Sequence, residues 1–230
     1  MKNPEAGGRG SPRLLLFGFW LGILIAIAVA VRRLIALAHP SQNGPAQMAA
    51  LNEVFASHAA LTLAHILPAM AFVLLAPVVL LGRSRAMWPQ RLLFPLGVVV
   101  GITAYGMSAY SITGGWIERS AVLLFNSLFL FSLTRAYWYL RRGDSLQNMR
   151  WIARAIAILL GIATTRPVMG VFFATSRLTH LEPRQFFGIA FWAGFSINTI
   201  IVELWLHSAR QGTSTLAPII GIGQRRSIEG

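Results

Sequence analysis

Four side chains able to bind a ligand or move a proton fall inside long apolar stretches: His65, Tyr105, Asn126 and Arg166. Converting position to depth at about 1.5 Å per residue puts all four roughly 8–10 Å below the same end of their segments. Arg166 is the most demanding of them. Its guanidinium stays protonated, so at that depth it needs carbonyls, water, an anion or a partner side chain. No carboxylate is expected at its depth. Pro68 lacks an N–H, which frees the Ala64 carbonyl beside His65 and offers one acceptor. His58 and Thr62 share a helical face with His65. These residues are the candidate ligand-binding set, and an anionic or carbonyl-bearing ligand suits the guanidinium fork. Each also has a plain structural role open to it: a satisfied core histidine, a packing tyrosine, an interhelical asparagine, a carbonyl-capped arginine.

A second polar layer comprises Arg135, Arg154 and Glu203, roughly 4–8 Å from the opposite end. Glu203 is the one carboxylate expected inside a span, and an unpaired charge there costs several kcal/mol. It is expected to pair with one or both arginines as a structural charge layer. The arginines can alternatively extend to lipid headgroups.

No catalytic constellation is present, since no nucleophile is set beside a base. The chain has no cysteine, which removes disulfides, thiolate metal sites and iron–sulfur clusters. A b-type haem needs two histidines facing each other from different helices. His58 and His65 lie on one helix, His39 and His180 in outer loops and His207 near the inner end. Bis-histidine haem is therefore disfavoured, and the residues specify no cofactor. An outer metal site from His39, Glu53, His58, His180 and Glu182 suffers from the five-residue spacing of Glu53 and His58, where three or four suits one helical face.

The elements that must position these residues follow from composition. Apolar residues make up 55% of the 230 residues and charged residues 12%, against about 25% charged in a soluble domain. Six apolar runs approach the roughly 20 residues of a spanning helix: Leu14–Val31, Ala59–Leu81, Leu92–Ile112, Ser120–Leu140, Trp151–Ala174 and Gln185–His207. The expectation is an all-α, polytopic six-helix membrane bundle. Residues 1–12 form a disordered tail, 13–210 the transmembrane domain, and 211–230 a flexible tail whose apolar patch, Leu216–Ile222, is too short to span. Ala36-Leu37-Ala38 mimics a signal-peptide cleavage site, but the first apolar run is longer than a signal core and Arg32-Arg33 intervene, so it reads as a retained helix. Residues 45–58 place Met48, Leu51 and Phe55 on one face, as an amphipathic extension on the outer surface or against the second helix.

The formal charge is +13. The basic residues sit at the ends of apolar runs and form no polar face, which argues against nucleic acid and for the bilayer. One set of flanks carries 12 of them (Lys2, Arg9, Arg13, Arg83, Arg85, Arg91, Arg141, Arg142, Arg150, Arg210, Arg225, Arg226) and the other 5 (Arg32, Arg33, Arg119, Arg177, Arg184). The positive-inside rule then puts both termini in the cytoplasm of a bacterial inner membrane, with anionic lipids on the cytoplasmic side as partners. Protein partners or a homo-oligomer stay open.

Short motifs carry a resemblance. Asn148-Met149-Arg150-Trp151-Ile152 resembles a His-Arg-Arg-Trp-Met element, Thr164-Thr165-Arg166 a Thr-Leu-Arg element, and Trp192, Asn198 and Glu203 a closing helix with those types in that order. His58 and Gln90-Arg91 add two more points. Together they resemble the bacterial membrane family catalogued as domain of unknown function 2306, over about residues 50–207. Asn148 and Gln90 stand where that family tends to have histidine. The resemblance implies topology and site choice and assigns no reaction. Two function classes follow: a transporter or ligand-binding membrane protein with a periplasm-facing pocket around Arg166, or an anchor or accessory subunit of a membrane complex. A b-type haem protein is a minor third.

Overall fold

The structure, a computed structural model, describes residues 12–39, 53, 55–82, 88–110, 114–179 and 183–211. The expected tails fall almost wholly outside the described residues, as do His180, Glu182 and most of the 45–58 segment. Among the described residues there are six long helices: α1 (Pro12–Ala38), α2 (Ala59–Leu81), α3 (Trp88–Tyr110), α4 (Gly115–Arg141), α5 (Ser145–Thr179) and α6 (Pro183–Gln211). All six are long and apolar enough to cross a membrane. No strand occurs among the described residues.

Every helix carries exposed apolar side chains. Leu14, Leu74, Ile102, Phe131, Val171 and Leu204 are all more than half exposed. A water-soluble domain does not present apolar side chains on every helix, whereas lipid tails cover them without cost. The core is built from Phe72 of α2, Leu93 of α3, Phe125 and Phe129 of α4, and Ile152 and Ile156 of α5. α5 packs most closely with α6 and α4, and α2 with α3. α1 stands apart: Ile23 is its one buried hydrophobic residue, and it leans on α2 and α5.

Small residues let α6 approach its neighbours. A Cβ on Gly194 would lie 2.6 Å from Thr165 Cγ2 and 2.7 Å from the Thr165 backbone nitrogen. That contact is the close backbone approach by which membrane helices gain packing energy.

Two of the helix boundaries that differ from the hydropathy reading have a clear local cause. α5 begins at Ser145, six residues before Trp151. Gly143 adopts φ +75°, which turns the chain, and the Asp144 carboxylate accepts the Gln147 N–H at 3.0 Å. Asp at the cap with Gln three residues on is a capping-box pattern, so the cap sets the start and not the apolar run. α1 runs on to Ala38, through Arg32 and Arg33. Arginine is a good helix former, so a charge pair marks the membrane edge without ending the helix.

Candidate ligand pocket

A cavity of about 290 Å³ lies inside the bundle, with residues of all six helices on its wall. One end is polar. Arg33 of α1, Glu118 of α4 and Arg166 of α5 line it, with Phe55 from the segment before α2. His65 and Asn126 stand further in. Beyond them the lining is apolar, including Val73, Phe129 and Ile158. α1 contributes Ala26, Ile27 and Ala30, and so closes the side of the cavity between α2 and α5.

His65 and Asn126 are both held by α3. The His65 Nδ1 is 3.0 Å from Thr103 Oγ1. The Thr103 hydroxyl proton is already used towards the Val99 carbonyl at 2.7 Å. The Thr103 hydroxyl thus stands between the His65 ring and the carbonyls of α3, and His65 also bonds the Val100 backbone, so its ring is tied to α3. Asn126 donates from Nδ2 to the Gly101 carbonyl at 2.9 Å, which leaves its Oδ1 as an acceptor. Arg166 Nε is buried and has no hydrogen-bond partner among the described residues. Pro167 follows it inside α5 and cannot donate to the Ala163 carbonyl, so one acceptor is freed a turn below the guanidinium.

The electrostatics of the polar end are uneven. Arg33 and Arg166 lie within electrostatic reach of one another and of Arg32, with the Glu118 carboxylate also near Arg166. The Arg33 guanidinium sits over the Phe55 ring at 3.9 Å from its centroid. Glu118 accepts the Gly114 N–H at 2.5 Å. The depth ruler had put no acid beside Arg166. Because α4 starts at Gly115, Glu118 belongs to its first turn, and a ruler zeroed at the apolar edge missed it.

Three of the four expected residues, His65, Asn126 and Arg166, meet on this cavity. Tyr105 does not line it. Its hydroxyl is 2.7 Å from Ser127 Oγ. At about 100° per residue, Val100, Ala104 and Met107 share the inward face of α3 and Tyr105 is turned off it. Two residues were missed as site candidates. Arg33, an outer flank charge by sequence, and Glu118 join the site because α1 continues past Val31 and α4 starts at Gly115.

The inner layer divides. Arg154 holds Glu203 through both its Nε and, at 2.9 Å, its Nη2. Arg135 takes no part in that pair. It donates to the Tyr139 hydroxyl at 3.0 Å and lies over the Trp138, Tyr139 and Trp151 rings. The Arg154 guanidinium lies 4.5 Å from the Trp151 ring centroid.

The polar residues of α6 act as staples. Trp192 Nε1 donates to the Ile117 carbonyl at 3.1 Å. Asn198 accepts from the Thr164 hydroxyl at 2.8 Å and donates to the Ala157 carbonyl at 3.1 Å. Glu203 pairs with Arg154. Gln90 and Asn148 are hydrogen-bonded to each other across α3 and α5. His58 stacks on Tyr110, ring centroids 4.3 Å apart. Among the described residues no group of three or more His, Cys, Asp or Glu is placed to hold a metal ion.

Comparison with known proteins adds one finding. The family model described as "Predicted membrane protein (DUF2306)" matches residues 62–206. No curated protein and no solved structure matches the chain. The matched region contains His65, Asn126, Arg166 and the whole α6 staple set, and Arg33 precedes it.

Proposed function

For a chain that belongs to the DUF2306 family of predicted membrane proteins, we propose a ligand-binding role, with the cavity around Arg166 as the binding site. The supporting observation is the cavity itself, which joins His65, Asn126 and Arg166 from three helices and has a buried, unpartnered Arg166 Nε on its wall. The Nε atoms of Arg119 and Arg135 are likewise buried without a partner among the described residues, but Arg166 alone of the three lines the cavity, where a bound molecule supplies the acceptor. A concave, mostly apolar site with a few converging polar groups is the usual form of a small-molecule site.

The proposal includes an orientation. The 12 against 5 distribution of flanking basic residues puts both termini on the cytoplasmic side of an inner membrane and the polar end of the cavity towards the periplasm.

Native mass spectrometry of the protein released from its membrane tests the role. The wild type should carry an added small-molecule mass that Arg166→Met lacks. Equal bound mass on both proteins, or none on either, would support the competing reading: an anchor or accessory subunit whose polar residues only pack.

A further inference from the structure

The lining of the cavity says what kind of molecule fits. We infer that its ligand is a small single-chain amphiphile with an anionic head, carboxylate or phosphate, held between Arg33 and Arg166. This deepens the ligand-binding reading and rests on it.

Three observations converge. First, the polar end gathers Arg32, Arg33 and Arg166 within mutual electrostatic reach, with Glu118 beside them. Arg33 and Arg166 both line the cavity, and the Arg166 Nε has no hydrogen-bond partner among the described residues, so the guanidinium fork is open to an anionic head. Second, the polar side chains of His65 and Asn126 line the cavity deeper than the arginines, where they suit an uncharged hydroxyl or amide just below the head. Third, the lining past them is hydrocarbon and aromatic: Ala69, Val73, Val100, Phe129 and Ile158. A free inorganic anion would leave that half unfilled. Size sets the upper bound. At about 290 Å³ the cavity sits at the lower edge of the ~300–1,000 Å³ range of small-molecule sites, which matches a single short chain.

Entry is also constrained. α1 closes the cavity side between α2 and α5 with small side chains and buries only Ile23. A chain-bearing ligand can pass between α1 and its neighbours from the bilayer, and its head needs to cross no apolar wall thicker than this one helix.

Radiolabelled octanoate is the probe, with octanol and inorganic phosphate as competitors. The full chain is reconstituted in phosphatidylcholine nanodiscs, and empty nanodiscs give the background. Octanoate should bind saturably, octanol should compete at least tenfold more weakly, and phosphate should not compete. Arg166→Met should abolish octanoate binding, and Arg166→Lys should weaken it several-fold because a point charge lacks the fork. Ala69→Phe, which fills the apolar half and leaves both arginines in place, should abolish it as well. It guards against misfolding of the Arg166 variants.

Octanol competing as well as octanoate overturns the anionic head. Phosphate competing as well as octanoate overturns the chain, and the ligand is then a free anion. Either result leaves a cavity that binds something. Absence of saturable octanoate binding overturns the inference itself, and the bound-mass comparison then decides the broader reading separately.

Discussion

Gln90 and Asn148, from α3 and α5, are joined by a side-chain hydrogen bond. Asn148 is 1% exposed and also donates to the Ala136 carbonyl of α4 at 2.8 Å. One amide therefore ties three helices at the end of the bundle opposite the cavity mouth. A buried amide without partners costs about 1–3 kcal/mol, whereas replacing both members by apolar groups is nearly neutral. Asn148→Leu and Gln90→Leu should each lower the melting temperature. The double variant should lose less than the sum of the two. Strict additivity in thermal melts would show that the two side chains act independently.

Glu203→Ala should destabilise the protein more than Glu203→Gln, because Gln keeps an acceptor for Arg154. The carboxylate side chain is about half exposed, so the loss should be near ~1 kcal/mol, in the range of interhelical polar contacts in membranes. Arg135→Ala should leave this difference unchanged, since Arg135 bonds Tyr139 instead. Melting curves of the three variants decide it.

Gly194→Ala should cost roughly 1–3 kcal/mol by overpacking, since the added methyl meets the Thr165 backbone at 2.7 Å. Thr165 precedes Arg166, so the same change should also weaken octanoate binding. Full octanoate affinity in this variant would separate the α5–α6 contact from the pocket.

Much of the fold could be read from the sequence because each span announces itself. An apolar run of about 20 residues bounded by arginines has few interpretations. Helix ends were harder. The start of α5 depends on the Asp144 cap and the left-handed Gly143, and α1 passes through Arg32-Arg33 without a break. The cavity was half readable. Depth along a helix follows from residue count, and depth alone singled out His65, Asn126 and Arg166. Azimuth depends on how helices pack, and there Tyr105 went astray. Arg33 and Glu118 were hidden for a different reason: charges near span ends serve as topology signals, so their second use on the cavity wall left no mark.

Topology is tested by reporter fusions. Fusions after Arg142 and at Ser214 should report a cytoplasmic position and one at Gly115 a periplasmic one, following the 12 against 5 charge count. A periplasmic reading at Ser214 would reverse the orientation or remove a span.

A periplasm-facing pocket requires that the cavity at Arg166 be reached from the Glu118 side. The chain lacks cysteine, so single-cysteine variants report without background. Asn126→Cys places a thiol on the cavity wall, and Leu74→Cys places one on the apolar exterior, where Leu74 is 53% exposed. A small charged thiol reagent added to intact spheroplasts should modify Asn126→Cys and leave Leu74→Cys unmodified, and octanoate should protect the former. If Asn126→Cys stays unmodified from that face, or reacts only in inverted vesicles, a periplasm-facing pocket around Arg166 is contradicted.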